Sequence, residues 1–95
     1  MSQDLSVSAV KDKICSGDFR GVEKYLLDGG NPNAVDEFGQ SLLTTAILQQ
    51  NLEIIKFLKE RGARTDIKDN TGLTPEHYIL LIANRSISTL FDPKD

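Results

Sequence analysis

Asp36-Glu37-Phe38-Gly39 and Asp69-Asn70-Thr71-Gly72 lie 33 residues apart, and the sequence on either side of both tetrads keeps that register. Gly29-Gly30-Asn31-Pro32-Asn33 stands one period before Gly62-Ala63-Arg64-Thr65-Asp66, and Phe19, Val22 and Tyr25 stand one period before Leu52, Ile55 and Leu58. Further back, Val10 and Ile14 occupy the places that Leu43 and Ile47 hold. A fixed period of this length makes each repeat a supersecondary unit that buries its apolar face only against its neighbours. The chain therefore reads as a stack, and function is to be sought on the surface the stack presents.

Punctuation inside the period gives the elements. Gln40 or Ser41 opens a helix to about Gln50, Asn51 marks a tight break, and a second helix runs from Leu52 or Glu53 to about Arg61, where Gly62 stops it. In the second helix Ile54, Ile55, Phe57 and Leu58 form an i, i+3, i+4 stripe, while Glu53, Lys56, Lys59 and Glu60 leave a polar face. One period on, the Thr74 hydroxyl can accept a bond from an orphan amide, and Pro75 fits the first helical position, where no donor is needed. Glu76 suits the positive end of that helix. The short polar segments between helix pairs are extended turns, so the unit is helix, break, helix, turn.

At 95 residues the chain is one domain, near the lower size at which burial offsets chain entropy unaided. Lys13, Arg85 and Ser88 stand where the period elsewhere has apolar groups, as capping units require. The lone Cys15 has no partner for an internal disulfide or a thiolate metal site, which suits a reducing compartment. No secretory apolar region follows Met1, and no run approaches the ~20 residues of a membrane span. A cytoplasmic protein is expected. The formal charge of −3 argues against nucleic acid, which needs clustered cations. The turns carry Asp36, Glu37, Asp66 and Asp69, with Lys68 interspersed, so a partner with a basic or neutral contact surface is expected there.

These residues resemble the ankyrin repeat: an aspartate and glycine in a β-turn, T-P-L-H, two small residues, a break, an apolar second helix and a G-A-x-x-N close. The central unit matches at Asp36, Gly39, Ser41, Leu43, Ala46, Leu52, Ile54, Ile55, Leu58, Gly62, Ala63 and Asp66. The third matches at Asp69, Gly72, Thr74, Pro75 and His77, and the first at Gly17, Val22, Leu26, Gly29 and Asn33, so the resemblance covers roughly residues 8–92. Departures are Leu42 and Thr44 for the proline and histidine, Gln50 for the interhelical glycine, and Glu76 for the apolar residue of T-P-L-H. The resemblance implies an all-α ankyrin repeat solenoid of helix-turn-helix units joined by β-turn fingers, as a single domain over 1–95. The N-terminal capping repeat would span about 5–35, the central repeat 36–68 and the C-terminal capping repeat 69–92.

Chemistry finds little support. His77, the single histidine, stands where ankyrin repeats use it to bond the turn and brace neighbouring units, and Cys15 follows core residue Ile14 as a partly buried thiol. Gly29-Gly30 is no phosphate loop, since no Gly-Lys-Ser/Thr follows. No catalytic residue, metal or cofactor is expected. By resemblance, the solvent-facing places of the concave groove are Glu37, Phe38, Gln40, Leu48 and Gln49, with Asn70, Thr71 and Leu73 one repeat on and Thr45 sharing a helical face with Leu48 and Gln49. Phe38 is the prime candidate, because an aromatic at a turn tip has little core to enter and aromatics dominate interface hot spots. Leu48 and Leu73 would supply its apolar neighbourhood.

The expected function is a non-enzymatic protein-binding module, monomeric when free, that inhibits or adapts one partner by occlusion, since the chain is spent on the stack. Small free-standing ankyrin proteins also include bacterial immunity proteins that neutralise a toxin. Self-association through a weakly capped end, or an enzyme with an unrecognised site, are the alternatives. Leu5, Val7 and Val10 are expected to begin a capping helix, and the 92–95 tail to fray after Phe91.

Overall fold

The computed structural model describes residues 6–82 and 85–90; Leu5, Phe91 and the 92–95 tail lie outside the described residues. The described elements are α1 (Val7–Cys15), α2 (Phe19–Leu27), α3 (Leu42–Leu48), α4 (Leu52–Glu60), α5 (Pro75–Ile82) and α6 (Arg85–Leu90). Their starts repeat chemically. Ser6 accepts from the Ala9 amide, Asp18 from Gly21, Ser41 from Thr44 and Asn51 from Ile54, each filling one of the orphan donors of a first turn. The Thr74 hydroxyl does the same for the His77 amide at 3.3 Å.

The helix ends repeat too. Residues with positive φ fall in pairs one period apart: Gly17 and Gln50, Gly29 and Gly62, Gly39 and Gly72. Behind the first two pairs the amides close Schellman bonds, for example Asp18 to the Lys13 carbonyl at 2.8 Å and Asn51 to Ala46 at 3.2 Å. Gln50 holds φ 56°, the only non-glycine in this region among the described residues. That left-handed turn ends α3 at Leu48, earlier than the sequence suggests.

Stacking follows the period. α1 packs on α2 and α3, α3 on α4 and α5, and α4 on α2 and α6, giving an inner row of α1, α3 and α5 and an outer row of α2, α4 and α6. Val10 and Ile14 repeat in the core as Leu43 and Ile47, Val22 and Tyr25 as Ile55 and Leu58, and Leu42 as Pro75. Each fully buried Ile or Leu contributes roughly 1.5–3 kcal/mol by leaving water. On the outer row the Phe19 and Phe57 rings meet edge to face at 5.0 Å, with the Arg61 guanidinium 4.9 Å from the Phe57 centroid.

The first and third units depart from the central one. In the first, Lys13 and Gly21 replace Ala46 and Ile54, exchanging which partner is large: a Cβ on Gly21 would lie 2.1 Å from Lys13 Cδ. In the third, Glu76 and His77 are exposed where Leu43 and Thr44 are buried. Leu80 is 76% exposed at the place where the central unit buries Ile47. Cys15 is exposed rather than partly buried, because it points away from the packed side that holds Ile14. Among the described residues no helix is long and apolar enough to cross a membrane.

Candidate functional site

Each finger is built on one aspartate. In the first, Asp36 Oδ1 accepts the Phe38 and Gln40 amides, both at 2.9 Å, while the Asp36 amide donates to the Gln40 carbonyl at 3.0 Å. In the second, Asp69 Oδ1 accepts from the Thr71 amide at 2.8 Å and the Leu73 amide at 3.1 Å, and the Asp69 amide donates to the Leu73 carbonyl. Short polar side chains bond their own turn in this way, and the finger then enters the helix through the Val35–Ser41 bridge.

The second carboxylate oxygens differ. That of Asp36 pairs with the Lys11 ammonium of α1, and that of Asp69 accepts the Tyr78 hydroxyl of α5. Burial pushes the Asp36 carboxyl up, but Lys11 and the Gln40 and Phe38 amides outweigh it and the net displacement is downward. The Thr71 and Tyr78 hydroxyls hold Asp69 well below the usual carboxylate range. These two charges therefore fasten fingers to helices and are not free groups of an acidic face. Asp66 is likewise paired, with Arg64 at 2.8 Å.

Neighbouring fingers are joined. The Asn70 amide donates to the Phe38 carbonyl at 2.9 Å and Asn70 Nδ2 to the Glu37 carbonyl at 3.2 Å. Asn33 makes the corresponding tie between the outer loops, donating to the Gly62 carbonyl at 3.3 Å and accepting the Arg64 amide at 2.7 Å. These ties bring Glu37, Phe38, Gln40, Asn70, Thr71 and Leu73 onto one platform. Glu37, Phe38, Asn70 and Thr71 are exposed there, and Gln40 and Leu73 are half-buried.

Leu48 and Gln49 are exposed at the far end of α3, about 10 Å along the axis from the Ser41 cap at 1.5 Å per residue. Thr45 corrects the expectation. It is only 5% exposed, and its hydroxyl donates to the Ser41 carbonyl at 3.3 Å, so it belongs to the packed side of α3. α3 is packed against α1, α4 and α5.

Phe38 is 61% exposed. Val7 and Val35 join it in lining a cleft of about 390 Å³ between α1 and the first finger. The 33-residue period carries no sign of this cleft, because Lys11 and Val35 have unlike counterparts in Thr44 and Lys68. His77 Nδ1 accepts the Thr74 amide at 3.0 Å, so the ring braces its own turn. Among the described residues there is no cluster of three or more His, Cys, Asp or Glu suited to a metal.

Paired helices with repeated caps, joined by aspartate-held fingers that tie to one another, define a helical solenoid that presents an extended surface. The family profile described as ankyrin repeats, in three copies, matches residues 9–90, and the chain belongs to the ankyrin repeat family. It is similar to an ankyrin repeat protein of Fowlpox virus, 37% identical over 81% of this chain and 10% of that protein. A potassium channel of Arabidopsis thaliana is 31% identical over 82% of the chain and 9% of its own length. An ankyrin repeat-containing protein of Treponema pallidum is 30% identical over 95% and 30%. The chain thus spans less than a third of each of these relatives. Ankyrin repeats are protein–protein interaction modules, and that is the class of this protein.

Proposed function

We propose that the protein is a non-enzymatic inhibitor or adaptor that occludes one protein partner, with Phe38 as the anchor of the contact. The observation that carries this reading is that Phe38 is 61% exposed on a fixed backbone. Its amide is held by Asp36 and its carbonyl by Asn70, so the ring meets a partner without further ordering of the chain. Glu37 beside it favours a basic or neutral contact surface, and Leu48, Gln49, Asn70, Thr71 and Leu73 extend the contact along the concave side. Toxin neutralisation in the cytoplasm is the narrower form of the same role.

Affinity purification from the native cell with wild type beside Phe38→Ala tests it. The variant should unfold within a few tenths of a kcal/mol of wild type, as exposed sites do, and should lose the partner. Equal capture by both would move the contact to the outer helices. Self-association is favoured by a different observation, the exposure of Leu80 and Leu81 on α5. Sedimentation over a hundredfold range of concentration decides it, and a constant monomer mass removes it.

A further inference from the structure

Two observations meet at the outer edge of the first finger. The cleft there is apolar where Val7, Val35 and Phe38 line it, and it also carries the exposed carboxylates Asp12 and Glu37. Lys11, the cation in the lining, is already paired with Asp36, so among the described residues no ion pair compensates Asp12 or Glu37. Its volume of about 390 Å³ is that of a recognition pocket, typically ~300–1,000 Å³.

The second observation is the way the fingers are joined. Asn70 offers its amide to the Phe38 carbonyl of the finger before it. One period earlier stands the Glu37 amide, which has no hydrogen-bond partner among the described residues. Among the described residues the backbone pairing between fingers thus stops at the Glu37 amide, beside the cleft.

The geometry points to this cleft as the docking site for an extended, basic and apolar segment of the partner protein. The segment continues the row of fingers by giving a backbone carbonyl to the Glu37 amide. An aliphatic side chain packs on Val7, Val35 and Phe38, and a Lys or Arg stands beside Asp12 and Glu37. Backbone pairing to an open edge supplies affinity and the flanking side chains supply selectivity. The inference rests on the reading that the protein binds another protein, and it names the chemistry of what is bound.

The probe is an acetylated, amidated hexapeptide of alternating arginine and leucine, titrated into the 15N,13C-labelled full chain. The Glu37 amide, the Phe38 ring and the Val7 and Val35 methyls should shift together, while Leu73 stays still. Asp12→Lys should weaken binding about fivefold, whereas Glu53→Lys, the same charge reversal on exposed α4 surface, should leave it unchanged. A peptide with glutamate for arginine should not bind.

Shifts confined to the concave side, equal binding of the glutamate peptide, or no shifts at millimolar peptide overturn the assignment. The same shifts on concentrating the protein alone also overturn it, because a second copy then fills the cleft. A cellular partner captured by wild type and equally by Asp12→Lys refutes the cleft while leaving the protein-binding reading intact. Failure of wild type to capture any partner refutes that reading itself.

Discussion

Gly39 and Gly72 hold the same backbone conformation, φ 79° and 87°, yet only one has a neighbour against it. A Cβ at Gly39 would stand 2.9 Å from the Asn70 amide nitrogen and 3.1 Å from Asp69 Cα, whereas at Gly72 none of the described residues lies within 4 Å. Alanine at Gly72 therefore costs about 1 kcal/mol of left-handed strain, and alanine at Gly39 costs that plus the separation of two tied fingers. Urea unfolding of the two variants should differ by at least about 1 kcal/mol in that order, and equal losses would show that the fingers part freely. Gln50 poses the opposite case. It holds the left-handed conformation that Gly17 supplies one unit earlier, and Gln50→Gly should leave thermal stability level or raise it by up to about 1 kcal/mol. A clear loss would show that the glutamine side chain contributes more than its backbone costs.

At the scale of the helix, identical places in the period have different worth according to what stacks on them. Ile47 on α3 is fully buried because α5 packs on α3, while Leu80, its counterpart on α5, is 76% exposed. Ile47→Ala should cost about 2–4 kcal/mol through lost transfer energy and a cavity, and Leu80→Ala less than about 1. Chemical denaturation of both variants checks the contrast, and similar losses would mean that Leu80 is covered in solution. The same contrast explains what the sequence could reveal. Helix pairs, the helix starts at Ser41 and Thr74, the break at Asn51 and the core stripes are local or periodic facts, so the 33-residue register exposed them. The burial of Thr45, the exposure of Cys15 and the Lys11–Asp36 pair depend on which face meets a neighbour, and a pattern within one unit carries no such information. Phe38 stood out because an aromatic at a turn tip breaks the pattern, whereas Val7 and Val35 became its neighbours only through the packing of α1 beside the finger.

Over the whole molecule the fingers couple stability to acid, because Asp36 joins the first unit to the second and Asp69 joins the second finger to α5. Both carboxyls titrate below their ordinary 3.8 in the folded state. In the window below that value the unfolded chain binds protons that the folded chain refuses, so stability rises with pH there. The contribution is complete well above 3.8 and is lost as pH falls through the lower folded values. Each unit is stabilised chiefly by its neighbours, so loss of either tie weakens the whole stack rather than one loop. The urea midpoint should be nearly flat from pH 7 to about 5 and should fall below about pH 4. Asp36→Asn keeps an acceptor for the finger amides but ends the attraction to Lys11. Its midpoint should be lower than that of wild type at neutral pH, and it should converge on wild type as acid protonates the native carboxylate. Curves that stay parallel down to pH 2.5 would remove Asp36 as a source of the acid response and leave Asp69 to account for it.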